Sequence, residues 1–256
     1  MQIAIVTGAS SGLGREFVRE IAKREKIDAI WVIARRENRL HELADGFSVP
    51  VVPVPLDLTE QKSFASLKTL LEEKKPDIRI LVNAAGFGKM GNYAEISQRD
   101  NDDMIELNCR ALVDMTLIAL PYMTRGARIL EISSTASFQP LPALSVYAAS
   151  KAFVQSYSRA LRWELFGRGI HVTAVCPYWI TDTEFIPVTQ NTANPRSVRH
   201  FPLASRARTI AWAALLSSKF NLPVSTPSPV ALLQRFLTKF IPHEIVIAFW
   251  QVLRRL

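Results

Sequence analysis

The sequence predicts an α/β fold, a doubly wound and mostly parallel sheet with helices on both faces. Three observations predict it. Six short β-rich runs, mostly apolar on both faces, alternate with longer helical patterns. The first run leads directly into a glycine-rich turn. The chain has 256 residues, 48% hydrophobic and 21% charged, which suits one large domain over 1–256 with a sizeable core.

The elements follow in order. The first strand, Ile3–Val6, precedes a helical pattern at 12–25. Ala29–Ala34 comes next, then 36–45; Val49–Val54, then 60–74; Ile78–Val82, then 100–124; Ala127–Ile132, then 145–167; Ile170–Val175 closes the series. The regularity then breaks. Pro177, Pro187, Pro195 and Pro202 interrupt residues 177–204, with a polar stretch at 189–194. Such a long irregular segment in a compact domain is usually a lid or a binding loop. A helix is expected again near Ser205–Ser218, so 177–218 reads as a substrate lid and its following helix. Leu222–Val230 is a proline-rich connector, and the tail to 256 is strongly apolar with a helical pattern. No fixed-period repeat is visible.

Composition narrows the function. Lysine plus arginine exceeds aspartate plus glutamate by 31 − 23, or +8. Nucleic acid, anionic lipid or a phosphate-rich cofactor could use that excess. Basic residues are not interleaved with aromatics, which makes nucleic acid the weakest of the three. Cys109 and Cys176 form no disulfide framework or metal-ligand spacing. His41, His171, His200 and His243 are scattered, so no metal site is expected. The strand-like run from Gln2 to Thr7 leaves no signal-peptide pattern, and no apolar stretch approaches the ~20 residues that span a bilayer. A reducing cytoplasm is the expected compartment.

The first strand runs into Thr7, Gly8, Ala9, Ser10, Ser11, Gly12, Leu13 and Gly14. Glycines at a strand-to-helix turn let backbone amides approach a pyrophosphate at a positive helix N-terminus. The second strand ends in Ala34, Arg35 and Arg36, where an acidic residue would hold two ribose hydroxyls. A guanidinium matches a 2′-phosphate, so NADP(H) is expected over NAD(H). Arg35 is the better candidate; Arg36 could simply be surface. Asp57, followed by Leu58, could accept the adenine amino group or lead into the next helix as a cap. Asn83, Ala84, Ala85 and Gly86 supply small residues where a cofactor can pass.

Tyr147 and Lys151 stand four residues apart on a predicted helix, hence on one face, and Ser134 lies thirteen residues before the tyrosine. A phenol with a pKa near ~10 is a poor proton carrier at neutral pH. A neighbouring ammonium lowers that value, and a hydroxyl from another segment can hold a substrate oxygen. Ser133 is the adjacent alternative, on the opposite strand face. A tyrosine–lysine pair by itself usually only packs or solvates.

Taken together these segments resemble the short-chain dehydrogenase/reductase family, of Rossmann fold, over about residues 2–185. The matching stretches are TGASSGLG at 7–14, Asp57, NAAG at 83–86, Asn108, ISS at 132–134 and YAASK at 147–151. The resemblance implies that Tyr147 is the general acid/base. Lys151 would lower its pKa and bind the nicotinamide ribose, Ser134 would bond the substrate oxygen, and Asn108 would anchor a water in the proton relay. It also implies cofactor contacts from Ser10, Ser11, Leu13, Leu58, Pro177 and Ile180. One departure stands out. After the sixth strand the family usually has Pro-Gly and then a threonine for the carboxamide. Here Tyr178 follows Pro177, and Asp182 takes the usual threonine position between Thr181 and Thr183. Thr183 or Thr181 is expected at the carboxamide, and Tyr178 and Trp179 could wall an apolar substrate.

The expected function is an NADP(H)-dependent oxidoreductase interconverting a ketone and a secondary alcohol. Its substrate would be hydrophobic, such as a hydroxysteroid or a 3-oxoacyl compound. The alternative is a non-catalytic dinucleotide-binding regulator, or a membrane-surface interaction protein on the same fold. The tail from Ile241 onward is apolar nearly all round and must be covered. Its own domain or a neighbouring subunit, in a homodimer or homotetramer, is expected ahead of a membrane surface.

Overall fold

The computed structural model describes residues 1–194, 198 and 203–254. Pro195, His200, Pro202 and the terminal Arg255 and Leu256 lie outside the described residues. Among the described residues seven strands form one parallel sheet: β1 Gln2–Thr7, β2 Ala29–Ala34, β3 Val51–Pro55, β4 Asp77–Asn83, β5 Arg128–Ile132, β6 His171–Val175 and β7 Val224–Ser225. Their order is β3-β2-β1-β4-β5-β6-β7, so the winding reverses between β1 and β4. A crevice at the strands' carboxyl ends, at such a switch point, is where this architecture binds ligands.

The strands are apolar on both faces because both are covered. Ile3, Ile5, Trp31 and Ile33 pack on one side with α3 (Gln61–Lys74), α5 (Ala111–Ala119) and α6 (Ser145–Glu164). Ala4, Val6, Ile30 and Val32 pack on the other with α1 (Gly12–Arg24), α2 (Glu37–Ala44) and α8 (Ala207–Lys219). Alternate residues of one strand thus feed two cores.

Two sequence expectations need correction. The single helix expected at 100–124 is α4 (Gln98–Ile105), one π-helical turn (Glu106–Arg110), α5 and a short 3₁₀ turn (Leu120–Tyr122). The proline-rich connector contains a strand. Val224 and Ser225 pair with Ala174 and Val175, extending the sheet to a seventh position. Two residues between prolines carry no periodicity, which is why the sequence pattern yields only six strands.

Beyond β6, α7 (Phe185–Gln190) lies within the expected lid. The tail forms α9 (Pro229–Leu237) and α10 (His243–Leu253). Ser228 caps α9 by accepting from the Ala231 N–H, with Pro229 at the first helical position. The Trp250 indole of α10 donates to the Pro142 carbonyl at 2.9 Å, fastening the tail beside the start of α6. Among the described residues no helix is long and apolar enough to cross a membrane.

Candidate active site

The turn after β1 requires its glycines. Gly8 has φ +66°, and a Cβ there would stand 2.7 Å from the Ala84 carbonyl oxygen. Backbone therefore packs on backbone where the ends of β1 and β4 meet, and the Thr7 hydroxyl ties them by accepting from the Ala85 N–H at 3.0 Å. The α1 N-terminus opens onto the crevice with no acidic residue in its first turn. Its partial positive charge is left for an anion.

The two arginines after β2 reach different partners. The Arg35 side chain is 71% exposed and reaches Asp57 at 3.8 Å. Arg36 lies across the glycine turn, donating to Ser11 Oγ at 2.6 Å and to Ser10 Oγ at 3.1 and 3.2 Å. Both line the cleft, and Arg36 is the one that meets the turn. The reason is local: Arg36 is the N-cap position of α2, from which its side chain falls back over the turn. Asp57 uses one carboxylate oxygen to accept from the Thr59 N–H and hydroxyl, an Asx turn ahead of α3.

Tyr147 and Lys151 share the buried face of α6, as their spacing predicts. The Ser134 hydroxyl lies near enough to the Tyr147 phenol to favour its ionised form. The Lys151 ammonium lies 5.8 Å from the tyrosine ring centre and donates to the Ile132 carbonyl at 2.9 Å. Ser133 is committed elsewhere, its hydroxyl donating to the Lys151 carbonyl at 2.7 Å. Of the two serines only Ser134 meets the phenol. The approach is close enough that a Cβ on Gly88 would stand 2.8 Å from Tyr147 Cδ2.

Burial dominates the ionisation of the pair. It pushes the Tyr147 phenol up to about 12, with the neighbouring Ser134 acting the other way. It pushes Lys151 down to about 8, against the pull of Cys109, Cys176 and Glu131. The phenol therefore keeps its proton at neutral pH, where the sequence argument expects it to be lowered. Desolvation outweighs a cation held nearly 6 Å from the ring.

One cleft of about 1160 Å³ contains Gly8, Ser10, Ser11, Gly12, Leu13, Gly14, Arg35, Arg36, Asp57, Leu58, Ala84, Ala85 and Gly86. Ser134, Tyr147, Lys151, Pro177, Tyr178, Trp179, Ile180 and Thr183 line the same cleft. Thr181 does not; Thr183 does, packed against Gly12. Asp182 accepts from the Ala207 N–H at 2.8 Å, capping the start of α8.

Two predicted residues lie behind the wall. Asn83 points beneath α5, donating to Thr116 at 2.9 Å and to Glu131 at 3.0 Å. Its side chain is spent on the sheet rather than turned to the cleft. Asn108, in the π-helical turn, accepts from the Phe87 N–H at 3.0 Å and donates to the Phe87 carbonyl and Ser150 Oγ. It pins the glycine-containing strand end to α6.

Sequence reasoning missed several residues. Gln139 and Phe185 line the cleft, and the Phe185 ring lies 5.6 Å from that of Tyr147. Leu233, Leu237, Ile245, Phe249 and Trp250 bring the tail into its wall. The apolar pattern of the tail signals that it must be covered, but nothing in the pattern says by what.

The chain matches the short chain dehydrogenase family over residues 2–193. Sulfoacetaldehyde reductase 2 of Chromohalobacter salexigens is 38% identical over 192 residues, 72% of this chain and 74% of that one. A short-chain dehydrogenase from Sphingobium yanoikuyae, solved in complex with NADPH, has a TM-score of 0.78 at 27% identity, over 94% of this chain and 97% of its own. The bulky-bulky ketone specific alcohol dehydrogenase of Comamonas testosteroni has a TM-score of 0.73 at 26% identity, over 94% and 95%. Sequence match, sheet order and cleft agree: this chain belongs to the short-chain dehydrogenase family, oxidoreductases that work on carbonyl and alcohol groups with a nicotinamide cofactor.

Proposed function

We propose that the chain is an NADP(H)-dependent oxidoreductase that interconverts a bulky, apolar ketone and its secondary alcohol, with Tyr147 as the acid/base. One observation carries the reading. Ser134, Tyr147 and Lys151 line the same cleft as the glycine turn and a set of apolar side chains. The bound cofactor would supply or accept the hydride. The chain's own residues do the rest. Ser134 and Tyr147 hold the carbonyl oxygen, and the phenol, protonated at neutral pH, gives its proton to that oxygen during reduction. Lys151, still largely cationic at neutral pH, stabilises the phenolate left behind. Asn108 acts by position, through Phe87 and Ser150. Oxidation runs the same transfers backwards.

The cofactor choice rests on Arg36, with its two serine partners, and on Ala34 standing where a ribose-binding acid would be. A guanidinium beside two hydroxyls suits a phosphate monoester and gains nothing from a bare ribose. Thr183 is the carboxamide candidate. The substrate class rests on the walls: Tyr178, Trp179, Phe185, Leu141 and the tail residues offer apolar and aromatic surface. A hydroxysteroid or a 3-oxoacyl compound fits that surface. A homodimer or homotetramer is the proposed assembly, supported by exposed Trp163, Phe166 and Phe220.

The test is turnover of Tyr147→Phe, with steroids, acyl ketones and sugars followed by NADPH absorbance. Loss of the proton carrier is expected to lower kcat by at least ~10²-fold. Near-normal turnover would remove the mechanism, and preference for sugars would remove the substrate class.

A further inference from the structure

Glu184 sits between β6 and α7, far in sequence from the phosphate turn, yet its carboxylate lies at the turn's edge. Oε2 accepts from Arg36 Nη1 at 2.8 Å, and Oε1 accepts from Arg39. The same Arg36 guanidinium donates to Ser10 and Ser11. Two guanidinium groups therefore hold one carboxylate, and one of them also reaches the two hydroxyls of the turn. That donor set suits a phosphate monoester: planar forks for paired oxygens and hydroxyls for the remainder.

We propose that Glu184 is a specificity-determining residue whose carboxylate holds the place of the cofactor's 2′-phosphate and must leave Arg36 when that phosphate binds. The proposal rests on the NADP(H) reading above and deepens it. Glu184 is ionised throughout the neutral range, since Arg39 and Arg36 hold it down to about 2. It competes as an anion, not as a neutral spacer. Its chain neighbours give the exchange a reach beyond the ribose. Thr183 packs on Gly12, and the Phe185 ring lies against that of Tyr147. A 2′-phosphate displaces a carboxylate whose two neighbours touch the phosphate turn and the acid/base. A cofactor lacking that phosphate leaves the carboxylate where it is.

Calorimetric titration with adenosine 2′,5′-bisphosphate and adenosine 5′-monophosphate tests this without turnover. Glu184→Gln and Glu184→Ala are expected to bind the bisphosphate about 5- to 10-fold more tightly than the wild type at low salt, the scale of two partly exposed ion pairs. The monophosphate is expected to be unchanged. Bisphosphate binding that stays level or weakens in both variants overturns the proposal, as does equal tightening of the two nucleotides. Arg36→Ala separates this from the underlying reading. If the wild type does not prefer the bisphosphate, or Arg36→Ala keeps the preference, the NADP(H) reading falls. If the preference depends on Arg36 and the Glu184 variants do not tighten, only the role of Glu184 falls.

Discussion

Glu131 is fully buried on β5, where it accepts from Asn83 and Thr116. Burial pushes it up from an ordinary carboxyl value of 4.5 to about 7. Below about 4.5 the folded and unfolded chains both carry the proton; between 4.5 and about 7 only the folded chain does. Folding then takes up a proton, and stability falls as pH rises through that window, with a loss on the order of 3 kcal/mol complete above it. Glu131→Gln keeps the shape without the titration. Thermal melts from pH 5 to pH 8 should decline for the wild type and run flatter for the variant; parallel profiles would contradict the assignment. The sequence shows none of this, because a glutamate in the run Arg128–Ile132 looks like a strand residue facing solvent. Tyr147, Lys151 and Ser134 were legible because a helix turn and a strand alternation fix which neighbours can meet. Which arginine lies over the phosphate turn was not, since that depends on how α2 begins rather than on residue type.

At the scale of elements, the strand-end segment Asn83–Gly88 threads between α6 and the π-helical turn with little room to spare. Gly88→Ala would drive a methyl to within 2.8 Å of the Tyr147 ring. The ring must shift to accept it, and a displacement of that order misaligns a proton donor. We expect kcat to fall by ~10- to 10²-fold, with a melting temperature changed far less. Equal losses in both would mean the glycine serves folding only. The alternation of strands and helices was readable because parallel strands covered on both faces are continuous apolar runs. The π-helical turn and β7 were not. An inserted residue leaves the helical pattern intact to the eye, and β7 is a strand only because β6 has a free edge beside it.

For the whole molecule, two groups among the exposed apolar residues bear on assembly. Trp163 and Phe166 pack against each other, and Arg162 hydrogen-bonds Asn221 beside Phe220. The tail exposes Leu232, Phe236, Phe240 and Val252. Sedimentation should find a dimer or tetramer, and substituting Trp163 and Phe166 with polar residues should shift it toward monomer. A wild-type monomer that floats with liposomes would favour the membrane-surface alternative instead.

The cleft wall built by the tail has a thermodynamic consequence. Leu233, Leu237, Ile245 and Phe249 border the cleft while remaining exposed to solvent. A greasy ligand would strip water from its own skeleton and from these side chains in one event. Its association should carry a negative heat-capacity change that deepens with every added methylene. Selectivity for length would then come from hydration, without a single extra polar contact.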